Sequence, residues 1–272
     1  MISNFLFHRV NPKRDRLWDP MDVELYDRCI RYISTHFKVV LIEDLLKSGE
    51  LFSQNKYATI MHDDGYKDNI EYAGPILEKY NCKASFYVVT DCIDNNTPTW
   101  THILEHTFQF TNISAIDLTF DFLPIELRTT NLPTSEERIR YISKLKPYLK
   151  KISHENRNLV LDRVVATYTD IEMPKFMMGW NDLIELKNAG HYIGSHTVSH
   201  SMLSTMENEE DIKNELLVSG KTIENKLLIY FIWCFQARTR LLSFHETDSR
   251  SPSLLPEVAV SRDMLWILLG RG

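Results

Sequence analysis

The chain has 272 residues, of which 43% are hydrophobic and 25% charged, with a formal net charge of −6 and a pI near 5.9. This is ordinary globular usage, enough for one sizeable α/β domain or a small barrel, and the acidic balance gives no reason to expect a nucleic-acid partner. The four cysteines (Cys29, Cys82, Cys92 and Cys234) form no CxxC pair and no cluster, so buried free thiols are expected rather than a disulfide framework or a cysteine-built zinc site.

Met1–Arg9 has no basic stretch followed by a sustained apolar core, so it does not read as a signal peptide. No apolar run reaches the length of a membrane span. A cytoplasmic location is the default expectation. Within this stretch Asn4–His8 reads as a first strand. His8 is either a pocket residue at its end or a structural histidine. Asp19–Phe37 reads as a helix, with Asp19 as N-cap, Pro20 at the first helical position, and an apolar stripe from Met21 to Ile33. Lys38–Ile42 is a strand and Glu43–Lys47 a short helix.

Tyr57, Thr59 and Ile60 then suit a strand. It ends on Asp63, Asp64 and Gly65. Two adjacent carboxylates at a buried strand end repel unless a cation sits beside them, and a divalent metal is the simplest answer. Asp-Gly is equally a hairpin signal. A helix follows within the stretch that ends at Tyr80, with Ile70, Ala73, Ile76, Leu77 and Tyr80 as its buried face, and Ala84–Val89 is a mostly apolar strand of the kind found in covered parallel sheets. Strand–helix alternation points to an α/β fold, in which chemistry collects at the carboxyl ends of the strands.

Residues 93–175 break that rhythm and read as a helical insertion beside or over the sheet. Thr134-Ser135-Glu136-Glu137 is a capping box opening a helix to about Lys146, which Pro147 should disturb, and a second helix covers His154–Tyr168. Trp100, Phe108, Phe110, Phe120 and Phe122 fit the core of this insertion better than an exposed binding platform. Trp180–Gly190 is a helix closing on glycine, and His191–Gly194 is the next strand. His196-Thr197-Val198-Ser199-His200 follows. On a helical turn its two histidines share one face, although such pairs also occur simply as surface or core histidines. Glu207–Lys226 is a long amphipathic helix.

One aspartate with two histidines is a three-ligand set that leaves room for water, as catalytic metal sites do. Met61-His62-Asp63-Asp64-Gly65 and His196-Thr197-Val198-Ser199-His200 resemble the first two motifs of the polysaccharide deacetylases of the NodB-homology type, carbohydrate esterase family four. Leu6–Val10, Gly65–Asn69 and Trp180–Leu203 are also similar to that family. The resemblance covers roughly residues 1–228. It implies a distorted (β/α) barrel, with Asp64, His196 and His200 holding a divalent metal, most simply zinc. Asp63 would be the general base, and a backbone N–H near Tyr66 would help to hold the oxyanion. The implied reaction is hydrolysis of the N-acetyl amide of an amino sugar in a polysaccharide or glycan precursor, giving acetate and a free amine. His62 stands where the family has Phe, and is either a pocket residue or a packing residue.

The sequence changes character beyond about Leu228. Residues 231–272 contain no Lys, Asn or Tyr, and the family's proline motif and later β/α units are missing. Residues 229–272 are therefore expected to be a divergent or frame-shifted tail that leaves the barrel incomplete, with Ser249–Pro256 as loop. Leu242-Ser243-Phe244-His245-Glu246 is only faintly similar to the family's late histidine motif and comes too early. With those motifs missing, an inactive metal- or carbohydrate-binding relative is the alternative reading.

Overall fold

The structure is a computed structural model describing residues 2–48, 56–228, 233–237, 258–261 and 264–269. Strand β1 (Ile2–Phe7) is followed by helix α1 (Val23–His36), a two-residue strand β2 (Lys38–Val39), α2 (Ile42–Ser48) and β3 (Tyr57–His62). The N-cap of α1 is Asp22, whose carboxylate accepts from the amides of Glu24 and Leu25. This corrects the expected start at Asp19, which instead pairs with Arg14 and accepts from the amide of Asp15. Both aspartates suit a cap, and Asp19 is captured by its own loop. Strand β2 is likewise shorter than expected, because Ile42 already belongs to α2.

After β3 a π-helical turn over Asn69–Ala73 leads into α3 (Gly74–Lys79), then β4 (Ser85–Val88) and α4 (Thr90–Asn95). The insertion holds α5 (Trp100–Phe110), the hairpin strands β5 (Ala115–Asp117) and β6 (Thr129–Asn131) with α6 (Ile125–Arg128) between them, α7 (Ser135–Leu149) and α8 (His154–Thr167). The capping box of Thr134 and Glu137 opens α7 as expected, but the helix runs through Pro147 to Leu149. Leu145 and Leu149 are buried in the insertion's core on either side of that proline, so tertiary packing outweighs the local break. Helix α9 (Trp180–Asn188), β7 (Tyr192–Ser195), α10 (Glu209–Leu227) and three strands, β8 (Trp233–Ala237), β9 (Val258–Ser261) and β10 (Met264–Leu269), complete the chain.

The main sheet has the order β1-β3-β4-β7-β8-β10-β9, with β2 beside the start of β3. Strands β1, β3, β4, β7 and β8 run parallel to one another along this path, and β10 is antiparallel to β8 and β9. The fold is thus mixed α/β around a parallel sheet. Among the described residues the ladder ends at β1 and β9, and the tail adds strands rather than β/α units. Ser249–Pro256 and Leu242–Glu246 lie outside the described residues.

Side chains alternate between faces along a strand, and this places the chemistry. Ile60, Phe86, Val88 and Ile193 pack against α1, α3, α9 and α10 in the principal core. Met61 and Tyr87 face the other way, toward Ile42 of α2. The insertion has a separate core that includes Trp100, Leu104, Phe108, Tyr141, Leu145 and Val160, with Met202 packed against it. Trp100 and Phe108 are therefore core residues, whereas Phe110 is exposed.

On the Met61 face, Glu43 is buried and accepts hydrogen bonds from Ser85 Oγ, at 2.8 Å, and from Tyr87 Oη. Burial pushes its carboxyl up to about 6, from 4.5, against the opposing pull of those two hydroxyls. The native carboxyl thus binds its proton more tightly than the unfolded one does. The resulting stability is fully present below pH 4.5 and lost as the pH rises through about 6. The loss amounts to about 2 kcal/mol at 1.36 kcal/mol per pKa unit. Glu43→Gln is expected to remove that part of the difference between urea-unfolding free energies at pH 4.5 and pH 8. An unchanged difference would contradict it.

Candidate metal centre

Asp63 and Asp64 leave the end of β3, and His196 leaves the end of β7. The ladder continues for one more bond at each point: Asp63 N–H donates to Phe7 O at 3.0 Å and His196 N–H to Val88 O at 2.9 Å. The carboxyl ends of β3 and β7, the two parallel strands that flank β4, thereby deliver acids and imidazoles to one place. Asp64 and Gly65 both have positive φ, 73° and 88°, which turns the chain sharply as it leaves β3. Gly65 is required there twice over. Its backbone is left-handed, and a Cβ would lie 2.9 Å from Ile93 Cδ1 and 3.2 Å from Val88 Cγ1.

Asp64 Oδ1 lies 3.6 Å from His196 Nε2 and 3.4 Å from His200 Nε2. The three residues can each offer one ligand atom, with these atoms all within 4.8 Å of one another. Asp63 Oδ2 is 4.0 Å from His196 Nε2. All four residues singled out from the sequence are therefore brought together. Asp63 and Asp64 are 3% and 2% exposed, and one oxygen of each, Oδ1, is buried without a hydrogen bond.

The electrostatics of the cluster suit a cation. Burial pushes the Asp63 carboxyl well above its ordinary range, and the Asp64 charge adds to this. Burial also raises Asp64, against the opposing influence of His196 and Lys150. Burial, then the neighbouring His196, hold His200 well below the usual imidazole value and so neutral. Buried acids that want positive charge, beside an imidazole in its ligating form, fit a divalent ion of the zinc type. Asp64, His196 and His200 could hold it.

The histidines do not sit on a helical turn, which corrects the expected geometry. They lie in an irregular loop in which Thr197 and His200 have φ of 73° and 59°. The i, i+4 spacing serves the loop equally well because the left-handed residues turn both rings inward. Their centroids are 5.0 Å apart. His62 is a packing residue. It is buried, stacked on Phe7 and Phe86, and hydrogen-bonded to Tyr26 Oη at 2.8 Å and Asn69 Oδ1 at 3.1 Å. Burial lowers it to about 3, so it stays neutral. His8 is half-buried just beyond β1, edge-on to Trp18 at 5.6 Å. Lys150, at the end of α7, acts on Asp64 and His200 from the insertion. No motif in the sequence signals it, because its proximity depends on how the insertion folds.

Fold and cluster together define an α/β protein with an acid–imidazole centre at the carboxyl ends of its parallel strands. The family model described as polysaccharide deacetylase matches residues 53–231, and the chain belongs to that family. A search of curated proteins finds no match to this sequence. Among solved structures, the Streptococcus pyogenes deacetylase PplD in complex with acetate is similar, with 14% identity and a TM-score of 0.49. The alignment covers 85% of this chain and 71% of that one. A polysaccharide deacetylase from Bacillus cereus is similar at 13% identity and a TM-score of 0.48, and the chain spans only 49% of its length. IcaB from Ammonifex degensii is similar at 11% identity and a TM-score of 0.47, covering 86% of this chain and 72% of that one.

Proposed function

We propose that the protein is a divalent-metal-dependent hydrolase of the N-acetyl amide of an amino sugar in a polysaccharide or oligosaccharide. The observation that supports this best is the convergence of Asp64, His196 and His200 with a second buried carboxylate, Asp63, beside them. Asp64 and the two histidines are the ligands. A bound divalent ion supplies Lewis acidity, polarising a carbonyl and acidifying a water molecule. Asp63 takes the proton of the attacking water as general base. Successive residues point in different directions at a strand end, so the two carboxylates divide the roles of base and ligand. Burial excludes bulk water and strengthens each charge interaction. A backbone N–H near Tyr66 assists at the developing oxyanion.

Among the described residues no helix is long and apolar enough to cross a membrane. The test is acetate release from N-acetylglucosamine oligomers by zinc-supplied protein, with an O-acetylated sugar as the comparison. Release from the amide supports the reading. Zinc uptake without acetate release would favour the inactive relative instead.

A further inference from the structure

Resting on that reading of the metal centre, we infer that Glu215 is a positioning residue that sets the geometry of both histidine ligands from outside the site. Glu215 belongs to α10, and 9% of it is exposed. Its Oε2 accepts from Val198 N–H at 2.8 Å and from Ser199 N–H at 3.0 Å. Its Oε1 accepts from Ser199 Oγ, and from Ser201 Oγ at 3.2 Å. One carboxylate therefore takes two successive amides between His196 and His200, together with the hydroxyls on either side of His200.

The loop needs such a clamp. Thr197 and His200 both have left-handed backbone, a conformation that non-glycine residues hold only when the surroundings over-determine it. Further backbone groups of the loop are also engaged. Thr197 N–H donates to Ser195 Oγ at 3.0 Å, and the Thr197 and Val198 carbonyls accept from the amides of Thr90 and Asp91 at 3.3 and 3.0 Å. The His200 carbonyl accepts from Trp100 Nε1 at 3.1 Å. Ser201 Oγ is also 3.1 Å from His154 Nδ1, which receives Arg157 Nη2 at 3.0 Å, and the Arg157 guanidinium lies over the Trp100 ring, 5.2 Å from its centroid. Glu215 is thus the acceptor through which α10 fixes a strained loop that Trp100 and His154 of the insertion also hold. Without it, two part-buried amides lose their partner and the imidazoles lose their fixed approach to Asp64.

Outer-shell groups that orient metal ligands typically alter affinity ten- to a hundredfold when removed. The experiment is zinc affinity by competition titration of chelated full-length protein, well below the melting temperature, for wild type, Glu215→Ala, Glu215→Asp and Glu215→Gln. Glu215→Ala is expected to bind zinc about ten- to a hundredfold more weakly. Glu215→Asp, which withdraws the carboxylate by one methylene, should weaken it too and serves if the alanine variant does not fold. Glu215→Gln should retain most of the affinity, because its amide oxygen still accepts the two N–H groups. A purely structural role would lower the melting temperature and leave the affinity of the folded protein unchanged. That result, in folded Ala or Asp variants, overturns the inference alone. Absence of zinc binding by the wild type overturns the metal reading and the inference with it.

Discussion

Asp63→Asn is expected to lower the rate of acetate release by about two to four orders of magnitude while leaving zinc bound. That corresponds to about 3–5 kcal/mol on the barrier. The substitution is nearly isosteric, so the site keeps its shape and loses only its base. Asp63 lies 4.0 Å from His196 Nε2, whereas Asp64 Oδ1 lies within 3.6 Å of both imidazoles. The closer approach of Asp64 to both imidazoles supports the proposed division, with Asp64 as ligand and Asp63 as base. Asp64→Asn should accordingly impair zinc binding first and activity as a consequence. Metal content by elemental analysis, measured beside the rate, separates the two. Loss of zinc from Asp63→Asn with retention in Asp64→Asn would reverse the assignment.

His196→Ala and His200→Ala are each expected to reduce zinc affinity by more than the ten- to hundredfold typical of an outer-shell change. Each removes one of the three proposed protein ligands, and a two-ligand remnant does not hold zinc firmly. Neither change should unfold the chain. His200 is held neutral by burial and its Nδ1 makes no hydrogen bond, so its loss forfeits no native pairing at that atom. Elemental analysis after dialysis, with circular dichroism as the control for folding, reads the result. Wild-type zinc content in both variants would remove these residues from the site.

Much of the scaffold was legible because its signals are local. The apolar run before Asp63, the Thr134–Glu137 capping box and the glycine after α9 each act within a few residues, and each appears in the structure. The acids and histidines were legible because strand ends present them. What was not legible depends on distant partners. His62 looks like a possible pocket residue until Tyr26, 36 positions away, is seen bonded to it. Helix α7 passes Pro147 because the insertion has a core of its own. The loop conformation of His196–His200 is fixed by Glu215, 16 or 17 residues downstream, and by Trp100, 100 residues upstream. Spacing alone could not distinguish that loop from a helical turn.

The most direct test of the account is stepwise zinc restoration to chelated protein, with acetate release from an N-acetylglucosamine oligomer followed by proton NMR. The account predicts no acetate from the chelated protein, and a rate that rises in proportion to bound zinc and levels off at about one equivalent, as one three-ligand site requires. Acetate release that continues at full rate in the chelated protein, or zinc that binds at one equivalent with no acetate formed, would contradict it.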